Sequence, residues 1–214
     1  MSVILIAALG VSLAANQPAA AGSFIEKRTG MEAPALKPDD PVEKEFRAVM
    51  EMDDAAQEEI DRWITDNERF ASKGAGVPRD QMRAKILRRL EPVTKAYEDF
   101  IKAHPSHSRA RVAYASFLGD TQGEEAALAQ LEKALAIDTN NPAIYNNLAN
   151  IYGHLGPVTN AFAFYMKAIQ INPLEPVYYH NYGTTVFLFR KDAMEYFQLD
   201  EPQVFAKAFS LYSN

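Results

Sequence analysis

The chain repeats itself with a period of thirty-four residues. Setting LEKALAIDTNNP (131–142) against YMKAIQINPLEP (165–176) places Ala134 on Ala168, Ile137 on Ile171 and Pro142 on Pro176, each at an offset of 34. Tyr145 on Tyr179 and Ala149 on Gly183 share that offset. A period in this range marks a supersecondary unit that cannot bury its apolar face alone and must stack on copies of itself. Inside the unit the apolar spacing is helical: Tyr145, Leu148 and Tyr152 stand at i, i+3 and i+7 and share one face. Asn141 followed by Pro142 predicts a helix start, an N-cap and a proline in the first turn. Pro173 ends the second helix of the unit. The small residues Ala149 and Ala161 suit a close crossing of the two helices, with Tyr145, Leu148, Tyr152 and Tyr165 filling the space around it.

These residues resemble a tetratricopeptide repeat, whose signature is W-x2-L-G-x2-Y, then A-x3-F-x2-A, then P. Tyr145 stands at the aromatic position, Leu148-Ala149 at Leu-Gly and Tyr152 at the Tyr. Ala161, Tyr165 and Ala168 follow at the right spacing, Pro173 closes the unit, and Gly156 lies in the turn. The resemblance implies an all-α fold, with antiparallel helix pairs stacked as a right-handed α-α superhelix (a tetratricopeptide solenoid). Three units are expected: 108–141, 142–175 and 176–214. The first departs from the family, with Arg111 at the aromatic position, Tyr114-Ala115 for Leu-Gly and Leu118 for the Tyr, while Ala127, Leu131 and Ala134 keep the second-helix pattern. The third opens on Tyr179, Tyr182-Gly183 and Val186. Its Ala208, Phe209 and Tyr212 then match Ala161, Phe162 and Tyr165 at an offset of 47. Arg190 to Pro202 is therefore an insertion, expected to form a loop on one face. The last helix is expected to be cut short at Asn214, as in a fragment of a longer chain.

Ahead of the repeats, residues 41–105 are expected to form a helical hairpin that caps the array. Asp40 is the cap of its first helix, and Phe46, Val49, Ile60, Trp63 and Ile64 are the apolar anchors. Gly74-Ala75-Gly76 breaks it, and a second helix runs from near Pro78 to Ala103, with a kink expected at Pro92. Tyr97 and Phe100 align with Leu131 and Ala134, and the bulk of Phe100 predicts looser helix packing there. Residues 1–22 read as a signal peptide: Val3 to Leu13 is an apolar run too short to span a bilayer. The expected location is the periplasm or envelope of a bacterium, with the cytoplasm the alternative if the run is not a signal. Residues 23–40 are expected to be a flexible linker.

A formal charge of -6 argues against nucleic acid, which needs a clustered basic surface. The one dense basic cluster, Arg83, Lys85, Arg88 and Arg89, reads as a solvated helix face. There is no cysteine, so thiolate metal sites and cysteine nucleophiles are excluded. His104 and His107 flank a helix-breaking Pro105 and read as loop histidines. No phosphate loop, nucleophile elbow or zinc signature is present. The expectation is a protein that is not an enzyme, with no cofactor, no bound metal and no stable membrane span.

The resemblance implies that first-helix residues line a concave groove for a protein or peptide partner. The positions are Arg109, Val112, Ser116 and Asp120 in the first unit and Ala143, Asn146, Asn150 and His154 in the second. In the third they are Val177, His180, Thr184, Phe187 and Leu188. Asn146 and Asn150, one helical turn apart, suit an extended peptide backbone because an amide both donates and accepts; the pair reads equally as ordinary repeat composition. Some family members clamp a terminal carboxylate with Lys and Arg. With Arg109 as the lone cation, that mode is not expected here. The leading function is a scaffold or adaptor. The alternative is the docking or regulatory part of an enzyme whose catalytic domain lies beyond residue 214. Self-association through the open C-terminal face is a further expectation. The aromatic third helix (Val177, Tyr178, Tyr179, Phe187, Phe189) is expected to pack on a following repeat or to serve as a docking face.

Overall fold

The computed structural model describes residues 29–31 and 40–213, and among these it contains nine helices and no strand. The chain divides into two compact units. One is residues 34–110. The other is residues 111–214 together with the N-terminal segment that carries Thr29, Gly30 and Met31.

In the first unit, α1 (Pro41–Ala71) starts where an aspartate and a proline make a start inevitable: the Asp40 carboxylate accepts the Val42 N–H at 2.9 Å. The turn after it is clasped by one amide. Asn67 Oδ1 accepts from Val77 N at 2.6 Å while its Nδ2 donates to Val77 O. Helix α2 (Arg79–Ala103) returns and carries Pro92 inside a continuous helical span. Phe46, Val49, Ala56 and Ile60 of α1 are buried, as are Leu90, Val93, Tyr97 and Phe100 of α2. Phe100, whose bulk predicts looser helix packing, is itself enclosed. The ring is 1% exposed and lies 5.5 Å from Phe46, because aromatic partners fill the space a small residue would have closed. The basic cluster is likewise not wholly solvated: Lys85 lies 3.6 Å over the Trp63 ring and Arg89 pairs with Glu59 at 2.7 Å, so two of its four members tie α2 to α1.

The second unit is built from α3 (Ser108–Thr121) from Arg111 onward, α4 (Glu124–Ile137), α5 (Pro142–Leu155), α6 (Val158–Ile171), α7 (Pro176–Leu188), α8 (Arg190–Phe197) and α9 (Glu201–Tyr212). It is an all-α tetratricopeptide-type solenoid, in which α5 packs on α6 and α7 on α9, and the stack is carried by α4 on α5 and α6 on α7. The two-residue link between α5 and α6 forces an antiparallel pair. Its crossing is close because Ala149 and Ala161 are both fully buried and small. In the next pair Gly183 does the same: a Cβ there would lie 3.2 Å from Ala208 O. The signature aromatics also repeat one local bond. The Tyr145 hydroxyl donates to Thr139 O at 2.9 Å, and one repeat later Tyr179 donates to Pro173 O at 3.1 Å. Each helix start is thereby tied to the loop before it.

The 190–202 insertion is not a plain loop. Arg190–Phe197 folds as α8 and packs against α6 and α9. Ala193 is buried in the cluster of Phe162, Tyr182, Val186 and Val204, and the Phe197 ring lies tilted 5.3 Å from that of Phe162. Residues 193 and 197, one turn apart, give the insertion an apolar edge, which is why it folds onto the array. Gln198, with φ 54°, ends the helix, and Asp200 with Gln203 forms a reciprocal capping box for α9. No helix among the described residues is long and apolar enough to cross a membrane.

Candidate peptide groove

The face made by the first helices of two successive repeats, α5 and α7, is occupied. Thr29, Gly30 and Met31 are all buried there, Thr29 at 0% exposure. The linker expected over residues 23–40 does not describe these three.

The contacts are to the segment's main chain. Asn147 Nδ2 donates to the Thr29 carbonyl at 3.0 Å, and Asn146 Nδ2 reaches the same oxygen at 3.4 Å. The next carbonyl, that of Gly30, accepts from the Tyr178 hydroxyl at 2.7 Å. Two consecutive peptide oxygens are therefore held, one by α5 and one by α7. A buried carbonyl left without a donor costs about 1–3 kcal/mol, so each of these bonds decides whether the segment can be buried.

The donors are themselves oriented. Asn147 Nδ2 has two hydrogens, and the second goes to Ala143 O at 2.8 Å, which fixes the amide plane. Asn146 Oδ1 accepts from Asn181 Nδ2 at 3.1 Å, joining α7 to α5 behind the segment. The Thr29 hydroxyl turns back to accept the Met31 N–H at 3.2 Å, leaving the Thr29 and Gly30 carbonyls directed at the helices. Gly30 has φ 67°, a left-handed conformation favoured by glycine. A Cβ added to it would lie 2.3 Å from Tyr178 Cε1 and 2.9 Å from Val177 Cγ1. The segment passes so close to the α7 tyrosine that no side chain fits between them.

Two family models match this part of the chain, one described as TPR repeat over residues 124–156 and one as tetratricopeptide repeat over 142–173. Residues 124–173 carry tetratricopeptide repeats. No curated protein matches it. Both matches include α5, which bears Asn146 and Asn147 and so supplies one wall of the groove in the tetratricopeptide array.

Of the residues expected to line the groove, Asn146 and Val177 meet the segment and several others do not. Asn150 turns to the second helix of its own repeat, accepting from the Tyr165 hydroxyl at 2.6 Å. Thr185 adds a donor to that same hydroxyl at 3.2 Å, so Asn150, Tyr165 and Thr185 form a polar chain across two repeats. Burial pushes the Tyr165 hydroxyl up to about 12, so it stays protonated and able to donate. His154 is exposed and pairs with Glu124 of the preceding repeat. His180 and Thr184 face α9: the imidazole lies 5.4 Å from the Tyr212 ring, and the two hydroxyls of Thr184 and Tyr212 are 2.9 Å apart. The reason is helical register. Tyr178 and Asn181, three apart, share a side of α7, while His180, two past Tyr178, points nearly opposite. Ser116 is half-buried on α3. Arg109 is committed to the first unit, where its guanidinium bonds Glu43 at 3.0 Å and lies 5.3 Å over the Phe46 ring.

Sequence reasoning missed Asn147 and Asn181 as groove residues, and named Tyr178 only within an aromatic helix that packs on a following repeat or serves as a docking face. One signal was available for the two asparagines: Asn147 and Asn181 are the same residue at the same place in successive repeats, at an offset of 34. The aromatic third helix is also resolved. Tyr178 is fully buried against the segment, while Phe187 and Leu188 at the far end of α7 are exposed at 46% and 61%.

Proposed function

We propose that the tetratricopeptide array is an adaptor that binds a protein partner through a short peptide segment laid across α5 and α7. One observation carries this reading: two consecutive main-chain carbonyls, of the helical Thr29 and of Gly30 in the turn after it, are met by oriented side-chain donors of two successive repeats. Main-chain recognition of this kind fits a peptide better than a small metabolite, and it needs no reactive group. The protein on this reading works by binding and is not an enzyme. Export to a bacterial envelope belongs to the same proposal and rests on the apolar run from Val3 to Leu13, which lies outside the described residues.

Photo-cross-linking in the native cell tests the adaptor reading. A benzophenone side chain at Val177, on the groove edge, is expected to give a discrete adduct of higher mass. The same probe at the exposed Lys133 of α4 is expected to give none. Equal labelling from both positions, or no adduct from Val177, counts against the groove as the partner site. Export is checked separately by fractionation and by sequencing the mature N-terminus. A chain that stays cytoplasmic with Met1 intact removes that part.

A further inference from the structure

The groove already holds a ligand, and the ligand is part of the same chain. We propose that the α5/α7 groove is glycine-selective. It takes a turning segment only where a glycine stands opposite the Tyr178 ring, and Thr29–Met31 is its resident occupant. A partner must therefore present a segment of the Thr-Gly-Met kind and displace the resident copy. This deepens the adaptor reading and rests on it.

Three features of the site lead here. The carbonyl donors Asn147 and Tyr178 recognise any backbone and so fix position without fixing sequence. The space over Gly30 then does the selecting. A Cβ would meet the Tyr178 ring at 2.3 Å and Val177 at 2.9 Å, and φ 67° disfavours other residues independently. Tyr178 cannot move aside cheaply, because it is fully buried and its hydroxyl bonds the very carbonyl of that glycine. Flanking the glycine, Thr29 and Met31 are buried at 0% and 4%, so the neighbours of the glycine are enclosed as well. A segment lacking glycine loses both carbonyl bonds together, since it cannot approach either helix.

A self-occupied groove also sets a threshold. If the resident segment is seated in about nine molecules in ten, the apparent affinity for an outside segment falls about tenfold, in proportion to the open fraction. Partners of the same chemistry must overcome that threshold, and others are excluded.

The test uses the full chain and a fluorescein-labelled synthetic peptide of residues 25–35, IEKRTGMEAPA. Fluorescence polarisation compares wild-type protein with Gly30→Val, in which the resident segment is unseated. The variant is expected to bind the peptide about tenfold tighter than wild type, and a peptide with valine in place of the glycine is expected to bind neither. Equal affinity of the two proteins for the native peptide overturns resident occupancy. Equal affinity of the variant for the two peptides overturns glycine selection. Should Gly30→Val lose its thermal transition, wild-type protein decides the matter by NMR. Excess native peptide is expected to shift the Gly30 resonance and the valine peptide to leave it in place; no shift with the native peptide overturns the proposal. A groove that binds both peptides alike still serves as an adaptor. Failure of the Val177 cross-link leaves the peptide result standing, so the two readings fail separately.

Discussion

Three buried tyrosines of the repeat unit carry different loads, and their hydroxyls separate them. Tyr165 both accepts from Thr185 and donates to Asn150. Tyr165→Phe leaves Asn150 without that donor and is expected to destabilise the array by about 1–2 kcal/mol in urea melts. Tyr182 is the reverse case. Its hydroxyl is buried with no hydrogen-bond partner among the described residues, and burial raises its pKa well above the ordinary value. Tyr182→Phe removes a desolvated group and keeps the ring stacked 5.5 Å from Tyr165. It is expected to be neutral or to stabilise by up to about 1 kcal/mol, and a loss beyond that would reveal a partner for the hydroxyl. Tyr178 belongs to the groove. Tyr178→Phe is expected to weaken the seating of Gly30 while leaving the α7–α9 pairing intact, read as faster exchange of the Met31 amide alone.

At the scale of elements, the turn that follows α2 is set by histidine chemistry. His107 Nδ1 accepts the Ala110 N–H at 3.0 Å, so the proton of the neutral ring sits on Nε2, which donates to Glu43 at 3.1 Å. Burial lowers the pKa of this ring below 6.5, with the Glu43 hydrogen bond opposing in part. The unfolded chain therefore takes up the proton first as pH falls. The contribution of His107 is fully present above about 6.5 and is lost as pH drops from there through the lower folded value. His107→Gln, which keeps a hydrogen-bonding group, is expected to flatten thermal stability between pH 7 and pH 5; an unchanged slope would reject the assignment. Helix α8 makes a second element-scale case. Ala193→Asp places a carboxylate in the Phe162 and Val204 cluster and is expected to cost about 3 kcal/mol or more, unfolding α8 and α9 together. If the insertion were a free loop, the melt would not move.

The helices were legible in the sequence because their boundaries are written locally. Asp40 and Asn141, each followed by a proline, are caps whose backbone partners lie two residues away. The core crossings at Ala149 and Ala161 were legible for the same kind of reason, through the period of the repeat. The groove was legible only in part. Asn146 stood out as an amide on a first helix, yet which side of α7 faces the ligand depends on helix rotation, and a shift of two residues separates Tyr178 from His180. The occupant was hidden altogether. Thr29 lies 118 residues from Asn147, carries no period and sits in a stretch whose alanines and prolines suggest a linker. Nothing local distinguishes a buried Thr-Gly-Met from an exposed one. Only the partner surface does that.

On the scale of the whole molecule, the repeats supply a rigid wall, and the N-terminal segment supplies what lies on it. The central claim is that Gly30 is seated against Tyr178. Its most direct measurement is the NMR of full-length protein carrying labelled glycine, ten signals in all. The account predicts one glycine whose Hα is shifted strongly upfield by an aromatic ring and shows a nuclear Overhauser effect to the Tyr178 ring protons, both lost in Tyr178→Ala. A Gly30 signal at random-coil position with no effect to Tyr178 would contradict it.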